Sequence, residues 1–418
     1  MTSQLPTVAE QPVSVRAPRK LLASLGAVNL GTFATWGAVP SVLLPLQLQD
    51  LDAANKEANL ALASVLGALL TMALQPVWGL LSDRARTRWG RRAPFLLALA
   101  IGGSFSMLAV SQASALWMVI AGWCLIHVLV GGVQGILEAV LPDRVPDAVR
   151  GAAAAAIGMG SMCGVLLGQL SAAVLVKNGY LIGYGVIALL LIMVTVVFVV
   201  CNPDVDNRDA PREPFDWRGL HKKLWINPLT HPDFAWVFWG RLLLLFGFNM
   251  VQNFQLYILL DYIGLNRDAA LTLTPVLAIC SLGAALVSIP LAGWVSDRTG
   301  RRKPWVIAST ALVGVAMLLP FFAPTPAMMI ATATIGGFGF GMFRAIDLAL
   351  LSLVLPSSDS AGKDLGIAGI ASNFGNVLAP AASSFVILNL GGYRPLFVIA
   401  FALSIIGAVC VMFVRSVR

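Results

Sequence analysis

Apolar residues run in long blocks along this chain, broken by short polar stretches, and the blocks recur twelve times. Their limits are 22–48, 58–82, 93–112, 115–141, 151–176, 180–201, 234–263, 269–296, 304–323, 326–355, 365–389 and 393–414. A run of about 20 apolar residues is the length a helix needs to cross hydrocarbon. The pattern therefore predicts an all-α membrane protein of twelve transmembrane helices. One long polar gap, Asn202–Asp233, divides the blocks six and six. The expected organisation is a tail at 1–21, a six-helix bundle at 22–201, a linker at 202–233, and a second bundle with a short tail at 234–418. Within the gap, "PFDWRGLHKKLW" sets Trp217, Leu220 and Leu224 on one helical face. That suits either an amphipathic helix lying on lipid or a plain linker.

Composition agrees with a membrane chain. Of 418 residues 58% are hydrophobic and 11% charged, with a mean hydropathy of +0.83; ordinary soluble domains carry roughly 25% charged residues. The net charge of +8 does not signal nucleic acid, because the basic residues flank apolar blocks and so report orientation. With both termini cytoplasmic, 22 of the 28 Lys and Arg fall on the inner side. The outer side receives Lys56, Lys177, Arg267 and Arg394, while Arg241 and Arg344 lie inside spans. The first twenty residues are polar and lack a signal-peptide core. Five cysteines sit in or beside apolar runs without metal-ligand spacing, so neither a metal nor another cofactor is expected.

Two charge clusters punctuate the blocks, "GLLSDRARTRWGRR" at Gly79–Arg92 and "GWVSDRTGRR" at Gly293–Arg302. Asp83 and Asp297 are 214 residues apart, as are Pro142 and Pro356. One offset at two landmarks argues that the second six spans duplicate the first. Two facing halves would leave a central cavity near mid-membrane. The arginines pin their loops beside anionic headgroups. The repeated aspartate invites a second role, a latch in which Asp83, Arg84, Arg91, Arg92, Asp297, Arg298, Arg301 and Arg302 pair across the halves in one conformation. The carboxylate would then face the positive end of a neighbouring helix.

Gly-x-x-Ser-Asp-Arg…Gly-Arg-Arg, repeated in both halves of a twelve-span chain, resembles the signature loop of the major facilitator superfamily. The longer first copy looks like the sucrose and glycoside–pentoside–hexuronide symporter branch, and "LPDRVPDAVRG" and "AGKDLG" look like loops of bacterial members near it. The resemblance implies two pseudo-symmetric six-helix bundles working by alternating access. It departs from the branch at Ala93, where a third basic residue is usual. The second span carries no carboxylate beyond Glu57, unlike the sodium-coupled members.

Ionisable residues at membrane depth cost roughly 2.5–3.5 kcal/mol each on insertion scales, so they mark function or pairing. In the fourth span His127, Gln134 and Glu138 fall within about 20° of one helical direction. Glu138 is expected to be a desolvated, proton-binding carboxylate, or else to snorkel to the interface or pair with Arg144 or Arg150. His127 is expected to be a relay or a packing residue. In the tenth span Arg344 and Asp347, at i and i+3, are expected to pair with each other, as a relay or a static pair. Asn29 and Trp36 of the first span, Gln134 of the fourth, Arg241, Asn249, Gln252 and Asn253 of the seventh, and Asn373 and Asn376 of the eleventh are candidate substrate contacts. Amides bond hydroxyls in both directions and rings stack on sugar faces. Each amide alone could equally be an interhelical hydrogen bond.

The fifth span has Gly160, Gly164 and Gly168 at close-packing spacing and lacks the Gly-Pro pair of drug antiporters. The expectation is a non-enzymatic, monomeric secondary transporter in the inner membrane. Its partners are membrane lipid, protons and a small molecule, a sugar or glycoside taken up with protons. Proton-antiporting export of lipophilic compounds is the alternative.

Overall fold

The computed structural model describes residues 19–146, 149–204, 206, 208, 232–353 and 361–414, with backbone alone at 76, 142, 297, 348–349, 351–353 and 361–373. The candidate amphipathic helix in the linker and nearly all of the N-terminal tail lie outside these residues. Among the described residues twelve long helices follow one another: α1 Arg19–Leu51, α2 Lys56–Arg84, α3 Ala93–Ser111, α4 Leu116–Arg144, α5 Arg150–Leu175, α6 Tyr180–Cys201, α7 Pro232–Asn253, α8 Arg267–Thr299, α9 Lys303–Phe322, α10 Pro326–Leu353, α11 Ala361–Asn389 and α12 Arg394–Met412. Eleven are long and apolar enough to cross a membrane, and the apolar part of α11 described in full, Phe374–Asn389, is shorter. No strand occurs among the described residues.

Local chemistry sets the helix ends. Pro94, Pro304 and Pro395 stand in the first turns of α3, α9 and α12, where the missing N–H is not needed. Gly300 closes α8 in the left-handed region at φ 61°, open to glycine without strain. Asn266 caps α8, its side chain accepting from the Ala269 amide at 2.8 Å. Helix α1 widens into a π turn at Val39–Leu43, where Pro40 removes a backbone donor. The chain beyond α7 carries a comparable π turn at Ile258–Tyr262.

Helices α1–α6 pack on one another, as do α7–α12, and the two groups meet where α2 lies against α11 and α5 against α8. The tightest seam is α1 on α5. A Cβ on Gly160, Gly164 or Gly168 would lie within 2.4 Å of the carbonyl oxygens of Gly26, Leu30 and Ala34 respectively. The glycine spacing thus lets two backbones touch.

The loops after α1, α3, α5, α7, α9 and α11 share one face, here the far face; the opposite, terminal face carries both chain ends. Between described residues, every hydrogen bond and ion pair joining the halves lies at the far face. Lys56 Nζ donates to Asp261 Oδ1 at 2.7 Å, and Arg267 grips Asp50 through two bonds of 2.7 and 3.0 Å. Lys177 approaches Asp268 at 3.2 Å, and the Tyr257 hydroxyl donates to the Pro45 carbonyl at 2.8 Å. Three of the four basic residues that the charge count sets apart from the main cluster are therefore cross-bundle partners.

Candidate functional site

Between the halves lies a cavity of about 670 Å³, within the ~300–1,000 Å³ range of small-molecule sites. From the first half it is walled by Trp36, Thr71, Gln75, Trp123, His127 and Gln134, and from the second by Asn249, Asn253, Phe340 and Asn376. None of its lining residues is a carboxylate, Lys or Arg. An apolar lobe of about 270 Å³ adjoins it, sharing Val165 and Phe340 and lined by Met162, Phe248, Met317 and Met329. Phe248 and Phe340 stack there at 4.6 Å. Gln252 serves this lobe and a smaller recess that it shares with Trp36 and Asn253.

An aromatic cluster forms one wall. The His127 ring stands edge-on to Trp36 at 4.6 Å and to Trp123 at 5.0 Å. His127 Nδ1 is 2.7 Å from Thr71 Oγ1. The indole nitrogens of Trp36 and Trp123 and the side-chain oxygen of Gln169 are buried without a hydrogen-bond partner among the described residues. Such unmet polar atoms cost about 1–3 kcal/mol each, and a ligand or water near them relieves this. Across the cavity Asn249 Nδ2 donates to Asn376 Oδ1 at 2.6 Å, while Asn253 Nδ2 donates to the Asn249 carbonyl at 2.9 Å.

Several expected residues go elsewhere. Asn29 is buried and donates to the Leu25 carbonyl of its own helix at 2.9 Å, because its position on α1 faces packing and not the cavity. Arg241 is not a cavity residue. It forms an ion pair with Asp347 at 2.9 Å, both side chains nearly buried. The carboxylate reaches across to α7 rather than along α10, so Arg344 is not its ion-pair partner and is exposed. Glu138 is exposed on α4 and accepts from Gln134 Nε2 at 3.1 Å. Arg144, one of its expected partners, bonds Asp204 at 2.8 Å instead. The Asn373 side chain lies outside the described residues.

Two arginines of the first charge loop pair within their own half. Buried Arg92 binds Asp83 at 2.8 Å, Asp143 at 2.8 Å and Ser82 Oγ at 2.9 Å, while Arg91 binds Asp143 at 2.8 Å. In this conformation, with the inter-half bonds gathered at the far face, Arg91 and Arg92 pair with Asp143 at the end of α4 and not across the halves. Sequence reasoning missed Asp143, although it stands in the quoted "LPDRVPDAVRG". In the second loop Arg298 lies over Trp294 at 5.3 Å, and the Asp297 side chain is outside the described residues.

The model of the Major Facilitator Superfamily matches residues 23–289 and 276–418, nearly the whole chain. The chain belongs to the Major Facilitator Superfamily. As a member it is a multi-span membrane transporter of small molecules, not an enzyme. Among its relatives is Multidrug resistance protein MdtG of Proteus mirabilis (strain HI4320), 26% identical over 90% of this chain and 91% of that protein. MdtG of Escherichia coli O9:H4 (strain HS) is 23% identical over 91% of each. Solved structures share the superfamily fold. The D-xylose-proton symporter gives a TM-score of 0.66 at 16% identity, covering 95% of this chain and 98% of that one. The nucleoside transporter NupG gives 0.70 at 14% identity, covering 95% and 100%.

Proposed function

We propose that this superfamily member takes up a neutral, hydroxyl-rich solute, a sugar or glycoside, together with protons by alternating access. The observation that carries the reading is the uncharged wall of the central cavity. An ionic substrate would have to enter without a counter-charge, whereas amides and indole rings meet hydroxyls and sugar faces. The adjoining lobe of Met and Phe suits an apolar aglycone, so a glycoside fits the two compartments better than a free sugar does. Trp36, His127, Gln134, Asn249, Gln252, Asn253 and Asn376 are the substrate contacts in this reading.

For coupling, Asp347 with Arg241 is the buried pair able to exchange a proton for a broken ion pair. Glu138, on the face that continues from His127 and Gln134 towards the terminal face, is the second carboxylate in line. The Lys and Arg distribution puts the terminal face in the cytoplasm, and the chain acts as a monomer whose two six-helix halves, 22–201 and 234–418, rock about the cavity.

A second reading is proton-driven export of lipophilic compounds, favoured by the apolar lobe and by the multidrug resistance relatives. Quenching of intrinsic Trp fluorescence in detergent-solubilised protein separates the two. Saturable quenching by aromatic glycosides, competed by the free sugar and lost in Trp36→Ala, supports the glycoside. Saturable quenching by lipophilic cations with no competition from any sugar overturns it.

A further inference from the structure

The far-face clasp contains one hydrogen too few. The Tyr393 hydroxyl oxygen lies 2.8 Å from Glu57 Oε1 and 2.8 Å from Asp261 Oδ2. A phenol has one hydrogen and can satisfy one carboxylate. Were both acids ionised, the second would hold its oxygen against the phenol's lone pair at hydrogen-bond distance. Burial, then the neighbouring Asp261 and Glu57, push the Tyr393 phenol above its ordinary range, so it keeps its own proton. Asp261 has a cation, Lys56 at 2.7 Å. Glu57 is 9% exposed and has no ion-pair partner among the described residues.

We infer that Glu57, Tyr393 and Asp261 form a proton-binding site across the two halves, occupied when the far face is closed. The proton sits on Glu57, which donates to the Tyr393 oxygen, while Tyr393 donates to Asp261 and Lys56 neutralises that acid. When the halves part, Tyr393 and Asp261 on the second half leave Glu57 on the first. Glu57 then returns its proton to the solution at that face. Closure takes up one proton from that solution and opening releases it, so acid on the far side favours the far-face-closed state. This gate proton is separate from any proton carried by Asp347.

The other charged and titratable groups in contact with the trio or close along the seam are few. Tyr257 lies with its ring 5.0 Å from Lys56 Nζ, and Tyr262 has its ring 6.5 Å from that of Tyr393. Asp50, Arg267 and Tyr180 form their own network further along the seam, and Arg394 covers Phe321 at 4.7 Å. The inference needs only that the two halves separate at this face; the assignment of that face to the outside decides which compartment supplies the proton.

The test places spin labels at Ser114→Cys and Pro324→Cys, exposed positions in far-face loops of the two halves, with the five native cysteines replaced. Interspin distances in the full-length protein give the closed-to-open ratio between pH 5 and 9. One linked proton requires that ratio to fall tenfold per pH unit through the transition. Glu57→Gln supplies an amide N–H in place of the acid proton, and Asp261→Asn removes one of the two acids. Both are expected to abolish the pH slope, and either suffices if the other fails to fold. A flat wild-type ratio, or a slope that persists in either variant, overturns the site.

Discussion

Trp36 is the side chain through which most of the cavity's chemistry passes. It touches His127, lines both the main chamber and the recess beside Gln252, and holds an unmet indole donor. Trp36→Phe keeps an aromatic face, though a smaller one, and removes the N–H, so binding should weaken by about tenfold or somewhat more, a hydrogen bond being worth about one such factor. Trp36→Ala should weaken it further, as titration by fluorescence or calorimetry would measure. The Arg241–Asp347 pair yields a different prediction. Asp347→Asn takes the carboxylate from a nearly buried arginine and should lower stability by on the order of 3 kcal/mol. The Arg241→Gln, Asp347→Asn double variant should recover part of that loss in thermal unfolding, since both members of the pair leave together. Glu138→Gln, at an exposed site with one neutral partner, should leave unfolding unchanged. The stripe of His127, Gln134 and Glu138 was legible in the sequence because a helix fixes which residues share a face. The partner of Asp347 was not, because Arg344 is near in sequence while Arg241 is near only after α7 and α10 pack. Asn29 misled for the same reason: its polarity is satisfied within α1, and no local signal tells that apart from a ligand contact.

Among the elements, the α1–α5 seam carries the plainest sequence signature, three glycines at four-residue spacing with no Cβ to hold the backbones apart. Gly164→Leu would drive a side chain into the Leu30 carbonyl, 2.4 Å from where its Cβ would stand. Overpacking of that kind costs about 1–3 kcal/mol or more. It should appear as a lowered unfolding temperature, with cavity binding lost because Trp36 and Val165 ride on these two helices. The charge loop after α2 was legible as a motif, but its wiring was not. Arg92, 5% exposed, joins Asp83, Asp143 and Ser82 within the first half. Arg92→Gln should therefore loosen the junction of α2, α3 and α4, and Asp143→Asn should reproduce most of its effect. Transport rates of the two single variants and the double would show it, the double being no worse than the stronger single if they act through one contact.

At the scale of the whole molecule, two bundles meet around an uncharged cavity, and the bonds between their described residues gather at one face. The duplication was visible from a 214-residue offset shared by two landmarks, and the span count from hydropathy, since the bilayer's thickness and lack of water fix the length of each apolar run. Which face was closed could not be read from the sequence. Lys56, Lys177 and Arg267 stand out only as basic residues on the wrong side of the charge count until the fold brings acids of the other half to them. The substrate reading and the coupling reading converge on one observable. Protein would be reconstituted in liposomes enclosing a pH-sensitive dye, and aromatic glycosides, free sugars and lipophilic cations added outside in turn. Acidification of the lumen on addition of a glycoside, abolished in Asp347→Asn while binding persists, is the expected result. Glycoside entry without proton movement, or proton movement with lipophilic cations alone, would contradict it.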